Sequence, residues 1–129
     1  MNKIIVEVSI GELLDKISIL EIKQEKIKDP EKLKFIKNEH SILKKQWENN
    51  VKSDVKLNEL FKKLKEINEK LWIIEDNKRL CEKDKDFGEN FIKLSRDIHF
   101  LNDDRAKIKL EINNHTGSII KEIKEYTSY

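Results

Sequence analysis

Helical periodicity is strongest in residues 54–81, DVKLNELFKKLKEINEKLWIIEDNKRLC. Asp54, at the start of this stretch, is a residue type that favours the N-cap position. The apolar side chains that follow recur at alternating three- and four-residue steps, and this spacing places them on one stripe of a long amphipathic helix. The stripe consists of Leu57, Leu60, Leu64, Ile67, Leu71, Ile74 and Cys81.

A second stripe with the same spacing follows, after the polar break EKDKDFG (82–88). Its members are Phe91, Leu94, Ile98, Leu101, Arg105, Ile108 and Ile112, and the turn sequence NNHTG (113–117) ends it. Two long helices joined by so short a break form an antiparallel hairpin. The resulting register places Glu75 opposite Arg96 or Asp97, and Arg105 near Ile67.

The residues before the long hairpin predict a shorter one. Ser9 and Glu12 have capping-box spacing, so the first helix begins there and runs to about Lys28. Asp29-Pro30 ends it and starts the second helix, since Asp caps well and Pro at the first helical position loses no hydrogen bond. A polar linker at residues 48–53 separates the two hairpins.

These patterns predict an all-α protein: an antiparallel helical hairpin bundle, a short hairpin plus a long one, in a single domain over residues 1–129. The β-branched segment IIVEV (4–8) and the tail SIIKEIKEYTSY (118–129) leave alternatives open. The tail is a last short helix or a strand, and as a strand it forms a minor two-stranded pairing with residues 4–8.

Composition excludes several classes of protein. Forty per cent of the residues are charged, 37% are hydrophobic, and the net charge is only +2. Interleaved acids and bases disfavour nucleic-acid binding, which requires positive charge segregated on one face. No apolar run is long enough to span a membrane or form a secretory signal. Cys81 is the sole cysteine, which suits a reducing compartment, so we expect a cytoplasmic protein.

Arginine is distributed unevenly. All but three of the 27 basic residues are lysine, and the three arginines fall between residues 79 and 105. A guanidinium binds carboxylate or phosphate through a planar fork that lysine lacks. Together with nearby carboxylates and an amide, the arginines form a candidate ligand-binding patch on the long hairpin: Glu75, Asp76, Arg79, Arg96, Asn102, Asp103 and Arg105.

Two interpretations of this patch stay open. In one, Glu75 and Asp76 are acid/base candidates and the arginines bind an anion. In the other, the side chains form ordinary salt bridges, such as the i,i+4 pair of Glu75 with Arg79. Arg105 occupies an apolar position of the stripe and therefore requires a partner. The sequence offers four candidates for that partner, Asp104, Glu21, Gln24 and Glu66.

Four segments of the chain resemble a small family of bacterial and phage-encoded helical proteins of unknown function. They are VSIGELLDKISILEIKQEKI (8–27), LWIIEDNKR with Glu82 (71–82), FIKLSRDIHFLNDDRAKIKLEIN (91–113) and GSIIKEIKEY (117–126). The resemblance covers nearly the whole chain and implies one helical domain. It implies no activity, substrate or cofactor.

No Gly-rich phosphate loop, nucleophile elbow or metal-ligand spacing is present in the sequence, so we predict neither a metal nor a cofactor. The first functional hypothesis is a non-enzymatic helical interaction or regulatory module, with a protein partner or self-association through surplus apolar surface. The alternative is a small anion-binding domain or enzyme that acts on a phosphorylated or sugar-containing ligand through the Arg/carboxylate patch.

Overall fold

The computed structural model describes residues 2–129 and shows four helices in that range. They are α1 (Ile10–Lys26), α2 (Pro30–Asn50), α3 (Val55–Lys83) and α4 (Glu89–Thr116). The predicted all-helical fold, with two hairpins of unequal length, is therefore confirmed. Each predicted helix lies within a few residues of its observed bounds.

The helix ends follow the capping signals in the sequence. The Ser9 hydroxyl accepts a hydrogen bond from the Glu12 N–H at 3.0 Å, and an Asp54 carboxylate oxygen accepts from the Leu57 N–H at 2.7 Å. Asp29 caps α2 in the same way through the Glu31 N–H. These side chains satisfy backbone donors that a helix N-terminus leaves unpaired.

The long hairpin has the predicted register to within about one residue. Arg105 of α4 donates a hydrogen bond to Asn68 of α3, directly beside the expected Ile67. Near the tip, the Asn90 amide donates to the Cys81 sulfur at 3.6 Å. The alternating apolar spacing therefore specified which faces of α3 and α4 meet.

Helix α1 is the centre of the fold, because it packs against each of the other three helices. It lies across the base of the long hairpin, where its apolar side chains join those of α2, α3 and α4. Trp47 of α2 reaches α3, with its ring centroid 5.0 Å from that of Phe61. The fully assembled core consists of Leu14, Ile17, Trp47, Leu57, Leu60, Leu64 and Ile112.

Beyond the base, the long hairpin continues as an arm, defined here as residues 72–100. No hydrogen bond or ion pair within the described chain joins this arm to α1 or α2. Within residues 2–129, the only aromatic contact of the arm outside the hairpin is that of Phe100 with Tyr129 of the tail. The arm thus consists of two helices that bury only the stripes facing one another.

Residues 2–129 contain no β-strand, so the alternative pairing of residues 4–8 with the tail is wrong. The tail, residues 118–129, is not a helix either. It is held by side-chain contacts instead: the Ser118 hydroxyl accepts from the Ile10 N–H at 3.1 Å, and Glu122 pairs with Lys109. These contacts hold the tail against the start of α1 and against α4. In the described part of the chain, none of the helices has the length and apolarity needed to cross a membrane.

Candidate functional site

Arg105 is the predicted site residue that the structure positions most completely. It projects from α4 and is partly buried. Its Nη1 donates to Asn68 Oδ1 of α3 at 3.2 Å, and its Nη2 donates to Asn102 Oδ1 at 2.9 Å. Both acceptors are neutral amides. The partner prediction was therefore wrong: the guanidinium bonds to two asparagines and to none of the four expected residues.

Arg105 forms no ion pair with any residue that the structure describes. Among the described residues, no carboxylate lies within 4.0 Å of the guanidinium. A guanidinium carries five N–H donors in a fixed plane, and two amide oxygens occupy only part of that capacity. The group is consequently oriented by the fold while its charge and remaining donors stay available.

Asn68 holds Arg105 because its own amide is fixed. It is 5% exposed, and its Nδ2 donates to Asp15 Oδ1 and to the Ser18 hydroxyl, each at 2.8 Å. The Ser18 hydroxyl donates its hydrogen bond to the backbone carbonyl of Asp15, so its oxygen can accept the hydrogen bond from Asn68. This arrangement determines which end of the Asn68 amide faces α1 and directs its oxygen towards Arg105.

Lys109, one turn along α4, is in the opposite electrostatic situation. Its Nζ lies 2.6 Å from Glu12, 3.5 Å from Asp15 and 3.4 Å from Glu122. Burial alone would lower the pKa of Lys109, but the hydrogen bond that its ammonium group donates to Glu12 and the surrounding negative charges outweigh this effect, so the pKa lies above its usual value. Carboxylates of the protein therefore neutralise the charge of Lys109, whereas none neutralises that of Arg105 among the described residues.

A cleft of about 470 Å³ lies between α4 and the tail, and Arg105 forms part of its wall. The tail is fastened over α4 at its far end, where the Tyr129 hydroxyl donates to Asp103 and the two rings of Phe100 and Tyr129 meet edge to face. The hydrogen bond to Asp103 raises the pKa of Tyr129. The cleft is lined by His99, Asn102, Asp103, Arg105, Ala106, Lys109, Lys124, Tyr126, Thr127 and Tyr129.

The structure divides the patch predicted from sequence. Asn102, Asp103 and Arg105 share the cleft, whereas Arg96 lines a separate shallow groove of about 390 Å³ on the outer face of α4. Glu75, Asp76 and Arg79 are exposed on α3 and make no ion pair with any described residue. The pairs of Glu75 with Arg79 and with Arg96 are therefore not formed.

The absent pairs have a simple physical reason. An exposed i,i+4 ion pair contributes only a few tenths of a kcal/mol, which is too little to hold two long side chains in one geometry. Arg105 differs because it is partly buried and its two acceptors belong to packed helices. Burial, rather than proximity in sequence, decides which of the three arginines is fixed.

Sequence reasoning missed several residues of this region. Lys109 follows the stripe residue Ile108, and Asn68 follows the stripe residue Ile67. A position directly beside an apolar stripe can be covered by a neighbouring helix, and this was the only signal in the sequence that α1 would bury them. Lys124 and Tyr126 belong to the tail, whose irregular path no periodicity in the sequence encodes. Within residues 2–129, no three His, Cys, Asp or Glu side chains converge as a metal-ligand set.

Together, the helical hairpins and the arginine-centred cleft define an all-helical fold with a polar groove beside α4. The chain belongs to a family of unknown function (DUF6165), whose model matches residues 4–129. No curated protein is detectably similar to the chain, and no solved structure is either.

Proposed function

We propose that the protein binds a small organic anion in the cleft between α4 and the tail, and that Arg105 binds its carboxylate or phosphate group. The observation that carries this proposal is the state of Arg105: two neutral amides orient its guanidinium and no carboxylate neutralises it. A partly buried cation without a counter-ion costs free energy unless a ligand supplies one.

The surroundings of Arg105 favour an anion over a neutral ligand. Thr127 and Tyr126 contribute hydroxyl groups to the cleft wall, and Lys124 contributes an ammonium group that is paired with Glu122 at 3.3 Å. Asp103, the nearest wall carboxylate in sequence, is engaged by the Tyr129 hydroxyl. Donors thus outnumber free acceptors around the guanidinium, as oxyanion recognition requires.

The size of the cleft restricts the ligand class. A volume of about 470 Å³ lies within the range of small-molecule sites, roughly 300–1,000 Å³. A sugar phosphate or a nucleotide fits this range, and both present the oxygen pair that a guanidinium fork binds. We propose binding alone, because the acid/base candidates Glu75 and Asp76 lie outside the cleft.

Isothermal titration calorimetry tests this proposal with four probes: inorganic phosphate, citrate, glucose 1-phosphate and uridine diphosphate glucose. We expect saturable one-site binding of at least one probe, and at least tenfold weaker binding by Arg105→Lys, since lysine cannot reproduce the planar fork. Arg79→Lys and Arg96→Lys are matched controls outside the cleft. Circular dichroism establishes that each variant is folded.

Two results would contradict the proposal. One is the absence of heat and of any thermal stabilisation with all four probes. The other is equal affinity for wild type and Arg105→Lys, which would place the anion elsewhere on the protein.

A second candidate function, a module for protein association, is favoured by a different observation. The arm exposes large apolar side chains that no other part of the described chain covers, among them Ile73 and Leu80. Surfaces of this kind mark interaction sites when they are contiguous.

A further inference from the structure

One flank of α3 in the arm carries a stripe that the fold leaves uncovered. Ile73 is 50% exposed and Leu80 is 55% exposed, with Asn77 between them on the same side of the helix. Their spacing of four and then three residues is that of a coiled-coil contact stripe. This stripe is separate from the one that packs on α4, which contains Leu71 and Cys81.

The two ends of the exposed stripe carry opposite charges. Lys70 precedes Ile73 by three residues, and Asp84 follows Leu80 by four, so both continue the same stripe. Asp84 still lies on the helical turn, because its N–H donates to the Leu80 carbonyl at 3.0 Å. Both side chains are exposed, and neither forms an ion pair with another described residue.

The full stripe, which we call the Asn77 stripe, is Lys70, Ile73, Asn77, Leu80 and Asp84. Along the helix it presents a cation, an apolar side chain, an amide, an apolar side chain and an anion. When a two-fold axis at Asn77 places a second copy of α3 antiparallel to the first, the two stripes are complementary. Lys70 then meets Asp84 of a second copy, Ile73 meets Leu80, and the two Asn77 amides face each other.

We propose that two copies of this chain associate through the Asn77 stripe, with their α3 helices antiparallel around a two-fold axis. Most soluble oligomers are closed by such an axis, which requires a surface complementary to itself. Acidic and basic residues alternate along the arm in nearly equal numbers, so the surface favours neither a polyanionic nor a polycationic partner. A single amide within an apolar stripe also fixes the register of paired helices.

The association covers apolar surface that the arm cannot bury alone. A two-helix hairpin covers one face of each helix, and helices in proteins obtain most of their stability from tertiary packing. Pairing two arms produces a local four-helix arrangement in which Ile73 and Leu80 are enclosed. The anion cleft is lined by residues of α4 and the tail and by none of the Asn77 stripe, so this proposal goes beyond the ligand-binding function and does not depend on it.

Sedimentation equilibrium of the full chain, over about 5 μM to 1 mM, measures the association. We expect a monomer–dimer equilibrium, and at least tenfold weaker association for Ile73→Glu and Leu80→Glu, which place a charge in the apolar contact. The matched control is Phe35→Glu on α2, since Phe35 is 75% exposed but lies off the arm. Its association constant should equal that of wild type.

Charge exchange tests the antiparallel register directly. Lys70→Glu and Asp84→Lys should each weaken association by about threefold to tenfold, because each creates like-charge contacts across the axis. The double variant should return to the wild-type association constant. Lys70 and Asp84 are about 21 Å apart along one helix, so such a rescue arises only between two chains.

Three results would overturn the proposal. The first is a monomer at every concentration, and the second is a dimer that Ile73→Glu and Leu80→Glu leave intact. The third is failure of the double charge variant to recover, provided that circular dichroism shows a folded chain.

Discussion

Gly11 of α1 lies so close to the backbone of Lys109 in α4 that a Cβ atom there would sit 2.6 Å from the Lys109 carbonyl oxygen. At this crossing the Gly11 N–H also donates to Asn113 Oδ1 at 2.7 Å, and the acceptor residue is fully buried. The absence of a side chain at Gly11 therefore permits the approach of α1 to α4. That approach in turn brings Glu12 and Asp15 to Lys109.

Replacing Gly11 by Ala should separate the two helices. Inside a helix, Ala is favoured over Gly by about 1 kcal/mol, so this substitution should raise the free energy of unfolding wherever the added Cβ atom has space. Here the obstructing atom is backbone, and we expect a loss of about 1–3 kcal/mol in the free energy of unfolding by urea. Gly88→Ala is the control, since its nearest contact is a side-chain oxygen at 3.4 Å. Equal stability of Gly11→Ala and wild type would contradict the close crossing.

Asn68→Ala should destabilise the fold and release Arg105. The substitution removes hydrogen bonds to Asp15, Ser18 and Arg105, and leaves buried partners unsatisfied. We expect a loss of about 2–4 kcal/mol by urea unfolding. Asn58→Ala, at an exposed position of the same helix, should change stability by less than about 0.5 kcal/mol. Similar losses in both variants would contradict the role of the buried amide, because helix propensity alone favours Ala over Asn at both positions.

Lys109→Met should remove the cation that three carboxylates share. Lys109 is only 9% exposed, so we expect a loss on the order of 2 kcal/mol at pH 7. The raised pKa of Lys109 means that its stabilising contribution is fully present below the ordinary lysine pKa, about 10.4, and is lost as pH rises through the higher folded value.

The difference in unfolding free energy between wild type and Lys109→Met should consequently narrow above about pH 10.4. Lys107→Met, an exposed neighbour on the same helix, supplies the control for loss of a lysine. A difference that stays constant with pH would show that Lys109 stabilises by packing and not by charge.

The stability of the fold should fall in acid as the Asp54 carboxylate is protonated. Its hydrogen bond from the Leu57 N–H, and then the contact of its carboxylate with His115, hold its pKa below the usual value. The contribution is present above the ordinary aspartate pKa, about 3.9, and disappears as pH falls through the lower folded value.

Asp54→Asn keeps an oxygen acceptor for the Leu57 N–H but carries no charge. Between about pH 4 and pH 2, wild type should therefore lose stability more steeply than this variant, as measured by thermal unfolding. Asp29→Asn, at the cap of α2, is the comparison because Asp29 has no histidine partner among the described residues. Parallel acid profiles for wild type and Asp54→Asn would contradict the assignment.

The fold could be predicted from sequence because its signals are local. The signals are the apolar spacing, the capping residues Ser9, Asp29 and Asp54, and the left-handed Gly117, and each lies within a turn of the boundary that it sets. The register of the long hairpin followed from two stripes and a short break. Each of these features depends on a few adjacent residues.

The candidate site could be predicted only in part, because it depends on α1 and the tail. Nothing local to Arg105 shows that Asn68, some 37 positions earlier, would face it with an oxygen already fixed by α1. The tail likewise has no periodicity, although it forms one wall of the cleft. Charges are interleaved along the outer faces, so Glu75 and Arg79 resembled a binding site in the sequence. In the structure both side chains are exposed to solvent and do not form an ion pair with each other.

The crossing of α1 over α4 also has a consequence for synthesis on the ribosome. The bonds from the Ile10 and Gly11 amides to Ser118 and Asn113 join positions separated by 108 and 102 residues. Helix α1 emerges early, yet α4 is translated after the other two helices on which α1 docks. Until α4 has been made, the apolar face of α1 that contains Leu14 and Ile17 is only partly covered, and a nascent chain exposes apolar surface that the folded protein buries.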